Sequence, residues 1–131
     1  MNDETRTWLG YANENLASAK VLLDNDLYNP SLQNAQQAVE KMLKAVLIES
    51  HERPRKTHSI GELMTALGQR NQVLAITEDE AELLDSIYLP SKYPLGNVLP
   101  DFEADQTLCQ RCLDIAERIR DSVALLLDWN I

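Results

Sequence analysis

Aromatic side chains are scarce in this sequence, 5% of 131 residues, so any core must rest on Leu, Ile, Val and Ala. Glycine and proline are few as well, four and five residues. That is too little turn chemistry for an all-β sandwich or barrel. No apolar run approaches the roughly 18 residues of a membrane-spanning helix, and no basic-then-apolar leader opens the chain. The expected location is the cytoplasm, with no membrane partner. Basic side chains are outnumbered twelve to twenty-one, which leaves a net charge of −9. Nonspecific adhesion to nucleic acid or anionic lipid is therefore disfavoured, because that attraction comes from basic groups displacing counterions. A Gly-rich phosphate loop, a Walker motif and a nucleophile elbow are all missing. So is the Glu-x-x-His pattern of di-iron bundles, and neither metal nor cofactor is expected.

Cysteine occurs twice, as Cys109 and Cys112. A lone CxxC can be a redox pair or half of a zinc site, but no second CxxC or His pair supplies further ligands. No strand pattern precedes it either. Both cysteines fall on an apolar helical stripe with Leu108, Ile115, Ala116 and Ile119, and core packing is the expected role.

What is present is helical periodicity. The 44% hydrophobic and 25% charged content fits one globular domain over residues 1–131. A first helix is expected from about Asp3 to Leu23, with Leu9, Ala12, Leu16, Ala19 and Leu23 at spacings of three and four. A second opens at YNPS, with Asn29 as cap and Pro30 in the first helical position, and runs to about Glu49. Glu40 and Lys44 form an i,i+4 pair within it. A third starts at Ser59, where Ser59-x-x-Glu62 has the capping-box form, and weakens at Gly68. A short fourth begins at Thr77, with Glu80 three residues on, and carries Leu83, Leu84, Ile87 and Tyr88. The irregular stretch LPSKYPLGNVLPD follows. The last helix fills about Glu103 to Asp128, with Leu108, Cys112, Ile115, Ile119, Val123 and Leu126 inward. Strand alternation is absent. The fold class is all-α, an antiparallel up-and-down helical bundle of four main helices plus one short helix.

The run YNPSLQNAQQAVEKMLKAVLIES, then KTHSIGELMTAL, then IYLPSKYP, resembles the HEPN family (higher eukaryote and prokaryote nucleotide-binding domain). The family's Gln-Ala-x-Glu-Lys-x-x-Lys-Ala core reads here as Gln37, Ala38, Glu40, Lys41, Lys44 and Ala45. Its Thr-His ahead of the third helix is Thr57 and His58, and its Tyr-rich run ending in Tyr-Pro is Tyr88 to Pro94. Trp8, Ala12, Leu16, Ala19 and Leu23 match its first helix. The resemblance implies a bundle of this size, usually a homodimer. It also implies a nucleotidyltransferase partner, often encoded alongside as a toxin–antitoxin-like pair. Catalytic relatives are metal-independent ribonucleases with an Arg-x(4–6)-His motif. In them the imidazole moves the 2′-hydroxyl proton and the guanidinium steadies the phosphorane.

Arg53-x4-His58 in the stretch RPRKTHSI has that spacing, but it lies in the first half of the chain. The motif of catalytic relatives lies near the final long helix. There Arg111, Arg118 and Arg120 have no histidine partner, since the two histidines are His51 and His58. The expected function is therefore a nucleotide-binding or protein-interaction module that lacks the usual ribonuclease motif, with no residue assigned to catalysis. The alternative is a metal-independent RNA endonuclease using Arg53 and His58 across a dimer cleft. Binding candidates are Gln37, Lys41 and Lys44 on the second helix, Arg55 and Lys56 in the basic join, and Lys92 with Tyr93. The plain reading of Gln37, Lys41 and Lys44 is a solvated helix face, and that of His58 is a brace at the helix join. Lys92 stands where relatives more often carry Arg, which keeps the charge but loses the bidentate fork. Nucleotide or RNA and a second copy of the chain are the expected ligands. Trp8, Tyr11, Tyr93 and Trp129 are the aromatics expected to expose apolar surface.

Overall fold

The computed structural model describes residues 1–53, 55–92 and 103–130, with the backbone alone for 89–92. Among these residues the chain forms five helices and no strand: α1 (Asp3–Asp24), α2 (Tyr28–Glu49), α3 (Ile60–Gly68), α4 (Glu78–Lys92) and α5 (Gln106–Leu127). It is an all-α bundle, as the periodicity requires.

Most boundaries follow from local hydrogen bonding. The Asn2 side chain caps α1 by accepting from the Thr5 N–H at 2.7 Å. The α1–α2 link turns at Asp26, whose φ of 59° is a left-handed conformation that Asp tolerates. The α2 start differs from expectation. Tyr28 is its first residue, Leu27 precedes it without a side-chain cap, and Asn29 does not cap. Pro30 is thus the third helical residue, which loses no hydrogen bond, because the first four N–H groups of a helix have no intrahelical acceptor. At α3, Ser59 accepts from the Glu62 N–H at 3.1 Å as a capping box predicts. The return half is relayed: the Ser59 N–H donates to Thr57 Oγ1, whose hydroxyl donates to the Glu62 carboxylate. At α4 the box is complete, with 2.9 Å from the Thr77 N–H to Glu80 and 3.1 Å from the Glu80 N–H to Thr77.

Helix α4 is longer than expected, 15 residues, so 89–92 are helical and α3, at 9 residues, is the short element. Pro90 has no N–H to reach the Ser86 carbonyl, so the last turn of α4 forgoes that backbone bond. The remainder of the expected irregular segment, with Tyr93, lies outside the described residues. Helix α5 begins later than expected because Asp105 caps it, accepting from the Leu108 N–H at 2.8 Å, which leaves Glu103 outside the helix.

At the centre stands α2, packed against each of the other four helices. It is buried nearly all round, from Leu32 through Ile48, the mark of a helix enclosed by its neighbours. On α5 the buried line passes through Cys112, Ile115, Ile119 and Val123. Its next member is the half-buried Leu127, four residues on; Leu126, expected inward, is 44% exposed. Cys109 and Cys112 are core residues with free thiols. The Cys109 thiol donates to the Tyr28 carbonyl at 3.3 Å. That contact places the start of α5 against the start of α2, so these two helices point the same way and α1 runs opposite. No helix among the described residues is long and apolar enough to cross a membrane.

Candidate functional site

Enclosure of α2 makes its polar residues conspicuous. Gln36, Glu40 and Lys44, one helical turn apart, are 0%, 3% and 5% exposed. They form a buried polar stripe on α2, and neighbours on α1 and in the α2–α3 join contact it. Lys44 Nζ lies 3.1 Å from Glu40 Oε2 and 5.7 Å from the centre of the Trp8 ring of α1. On its other side the Glu40 carboxylate meets His58 Nδ1, at 3.1 and 3.3 Å from its two oxygens. The imidazole stacks on Tyr88 of α4, centroid to centroid 4.9 Å with planes 14° apart. Gln36 Nε2 donates to the His58 carbonyl at 3.3 Å, and Gln37 Nε2 donates to Gln36 Oε1 at 2.8 Å. One continuous contact path therefore crosses the molecule: Trp8, Lys44, Glu40, His58, Tyr88.

This path orients the imidazole. Glu40 holds the Nδ1 edge and Tyr88 one face, while half of the His58 side chain stays open to solvent. The backbone beside it is fixed independently. Asp85 of α4 accepts from Ser59 Oγ at 3.0 Å and from the Gly61 N–H at 3.1 Å, and also from the Ile60 N–H. A carboxylate there complements the α3 N-terminus.

A second polar group lies further along α1 and α2. Lys41 Nζ donates to Asn15 Oδ1 at 2.6 Å and sits 5.9 Å from the centre of the Tyr11 ring. Asn15 donates to Asn34 at 2.9 Å, and Asn34 to the Pro30 carbonyl at 2.9 Å.

The expected site residues are thus partly brought together. Gln37, Lys41 and Lys44 do share one side of α2, but it is not a solvated face: Lys44 is buried in an ion pair. Arg53 is exposed and makes no contact with His58 among the described residues. Arg55 is exposed and engaged with Glu52, which also binds Arg70 Nε at 2.7 Å. The Arg55 guanidinium holds the Glu52 carboxyl below its ordinary range. Lys56 is exposed. The Lys92 side chain and Tyr93 lie outside the described residues. Of the aromatics expected to be exposed, Tyr11 is, at 53%, whereas Trp8 and Trp129 are half-buried against the core. Sequence reasoning misses Gln36 as a site residue, treats Glu40 as half of an ordinary helix pair and gives Asp85 no role. Spacing alone does not single out the first two: Gln33, Gln37 and Lys41 have the same i,i+4,i+8 spacing on α2 and are only half-buried.

Two larger depressions are poor nucleotide sites on charge. One of about 600 Å³ at the start of α4 is lined by Glu78, Asp79, Glu82 and Asp85 without a cation. The other, about 490 Å³ between α4 and α5, sets Arg111 and Arg118 against Glu80 and Asp114.

The HEPN domain pattern matches residues 5–126. A crystal structure of TT1696 from Thermus thermophilus is similar, with a TM-score of 0.76 and 29% identity, covering 93% of this chain and 97% of that one. A crystal structure of ST0689, described as an archaeal HEPN homologue, superposes with a TM-score of 0.67 over 91% of this chain and 93% of that one. At 24% identity it speaks to the fold alone. No curated protein matches the chain.

Proposed function

The chain belongs to the HEPN domain family, and on that premise we propose that it is a nucleotide-binding module without ribonuclease chemistry, working as a homodimer. The observation that carries this reading is the half-open His58 ring, clamped edge-on by Glu40 and stacked on Tyr88. A nucleobase can extend such a stack, because every base offers a π-face and base–aromatic stacking contributes about 1–3 kcal/mol per base. Arg53 and Lys56 are exposed in the same join and supply local positive charge for a phosphate in a protein that is otherwise acidic, while Arg55 is engaged with Glu52. The structural part of His58 and its binding part are compatible: the brace that the sequence suggests is what fixes the ring.

The endonuclease alternative needs a guanidinium beside the imidazole. Arg53 is not held there, and the charge next to His58 is instead the carboxylate of Glu40. A nucleotidyltransferase remains the proposed protein partner, resting on the family resemblance.

The test is a calorimetric titration of the wild type, His58→Ala and Lys56→Glu with AMP and ATP, run alongside single-stranded RNA incubated in EDTA. Saturable binding that His58→Ala abolishes and Lys56→Glu weakens, with RNA left intact, is the expected result. RNA cleavage lost in His58→Ala would establish the endonuclease instead. Equal titration curves for all three proteins would remove His58 from the site.

A further inference from the structure

Lys41 is held differently from Lys44. Its partners are neutral: an amide oxygen of Asn15 and the face of Tyr11. The Asn15–Asn34–Pro30 relay fixes that amide, so the ammonium is positioned before any anion arrives. Among the described residues it makes no ion pair, in a chain with nine more acidic than basic groups.

A matching anion lies on the adjacent face of α1. Glu14 is exposed and makes no ion pair among the described residues. Around it, Gly10, Tyr11, Ala17, Ser18 and Val21 are exposed as well, with Val21 61% open. A shallow depression of about 420 Å³ between α1 and α2 is lined by Ala17, Ser18, Val21, Leu22 and Asn34. Asn34 belongs to the relay that holds Lys41, so groove and cation form one continuous surface. Gly10 adds an independent point. It lies inside α1, where glycine costs about 0.5–1 kcal/mol relative to alanine. Nothing in its own chain requires the missing side chain, since a Cβ built there meets no atom within 4 Å. Close approach by a second backbone is the ordinary use of such a position.

We propose that a second copy of this chain docks here, α1 against α1 across a two-fold axis, with Glu14 of each protomer reaching Lys41 of the partner subunit. A two-fold interface requires a patch complementary to itself. This face carries one unpaired charge of each sign, an apolar groove and an exposed Val21 to enter it. The inference rests on the homodimer reading above and names the surface that forms it. A nucleotide stacked on His58 would leave it untouched.

Sedimentation velocity across a concentration series decides it, using the wild type, Glu14→Lys, Lys41→Glu, the double charge swap and Gly10→Leu. The expected result is a dimeric wild type, with both single reversals at least tenfold weaker in dimerisation at low salt and the double swap restored toward wild type. Gly10→Leu, whose side chain enters open space in the monomer, should be helical by circular dichroism and monomeric. A monomeric wild type overturns both the homodimer reading and this surface. A wild-type dimer that every variant retains, or a double swap weaker than either single change, overturns this surface alone.

Discussion

At the scale of single residues, the buried Glu40–Lys44 pair sets the strongest expectation. Burying two charges is costly, and their attraction offsets that only while both partners remain. Glu40→Leu leaves an ammonium without its carboxylate and should cost about 3–5 kcal/mol in chemical denaturation, as should Lys44→Met. The double variant Glu40→Leu/Lys44→Met should be more stable than either single one, since well-packed apolar pairs often replace buried ion pairs without loss. It should also bind nucleotide worse than wild type, because His58 loses the carboxylate that fixes its edge. Additive single losses in the double variant would show that the pair is not coupled. The two cysteines carry a second expectation. Burial raises the Cys109 thiol and pushes Cys112 up to about 12. Thiolate is the reactive form, so native Cys112 should resist alkylation at pH 8 and react promptly in denaturant. Rapid labelling of the folded protein would contradict a core role. The cysteines are legible in the sequence because their neighbours share an apolar stripe. The Glu40 environment is not, because i,i+4 spacing is identical on a wet and a dry helix face.

At the scale of elements, helix existence is legible throughout and the helix ends only in part. Capping residues at Ser59 and Thr77 announce α3 and α4 because their hydrogen bonds are local. The Asn29 cap fails because Leu27 and Tyr28 already continue the turn after Asp26, and Pro30 is tolerated anywhere in the first turn. The α3 N-terminus depends on a residue that no local pattern could reveal: Asp85, 24 to 26 positions along the chain from its partners Ser59, Ile60 and Gly61. Asp85→Ala should therefore destabilise the protein by about 1–2 kcal/mol, the range of a lost helix cap. Its amide exchange should accelerate in α3 far more than in α2, since the change frees a short peripheral helix and leaves the central one packed. Uniform acceleration across the bundle would mean that α3 has no stability of its own to lose. Tilting α3 would also carry His58 with it, so nucleotide affinity should fall in the same variant.

At the scale of the whole molecule, charge works in two directions as pH falls. The chain is strongly acidic, with a pI near 4.6, so mild acidification relieves self-repulsion. Opposing this, three carboxylates join distant parts of the bundle and are held below their ordinary value of 4.5. The Asn2 N–H holds Glu49 down, Arg55 holds Glu52, and Arg118 holds Glu80. Glu80 also links α4 to α5, and Arg118 completes that corner by donating to the Ala75 carbonyl at 3.0 Å. A carboxyl whose folded value lies below its unfolded one adds stability that is present above about 4.5. That contribution is lost as pH descends through the lower folded value. Melting temperature should therefore change little from pH 7 to about 5 and fall below about 4.5, where three interactions are lost while repulsion is already near its minimum. Glu80→Gln should melt lower than wild type at pH 7 and lose less on acidification, so the two curves converge toward pH 3. Parallel curves would place the acid sensitivity elsewhere, in Glu49 or Glu52.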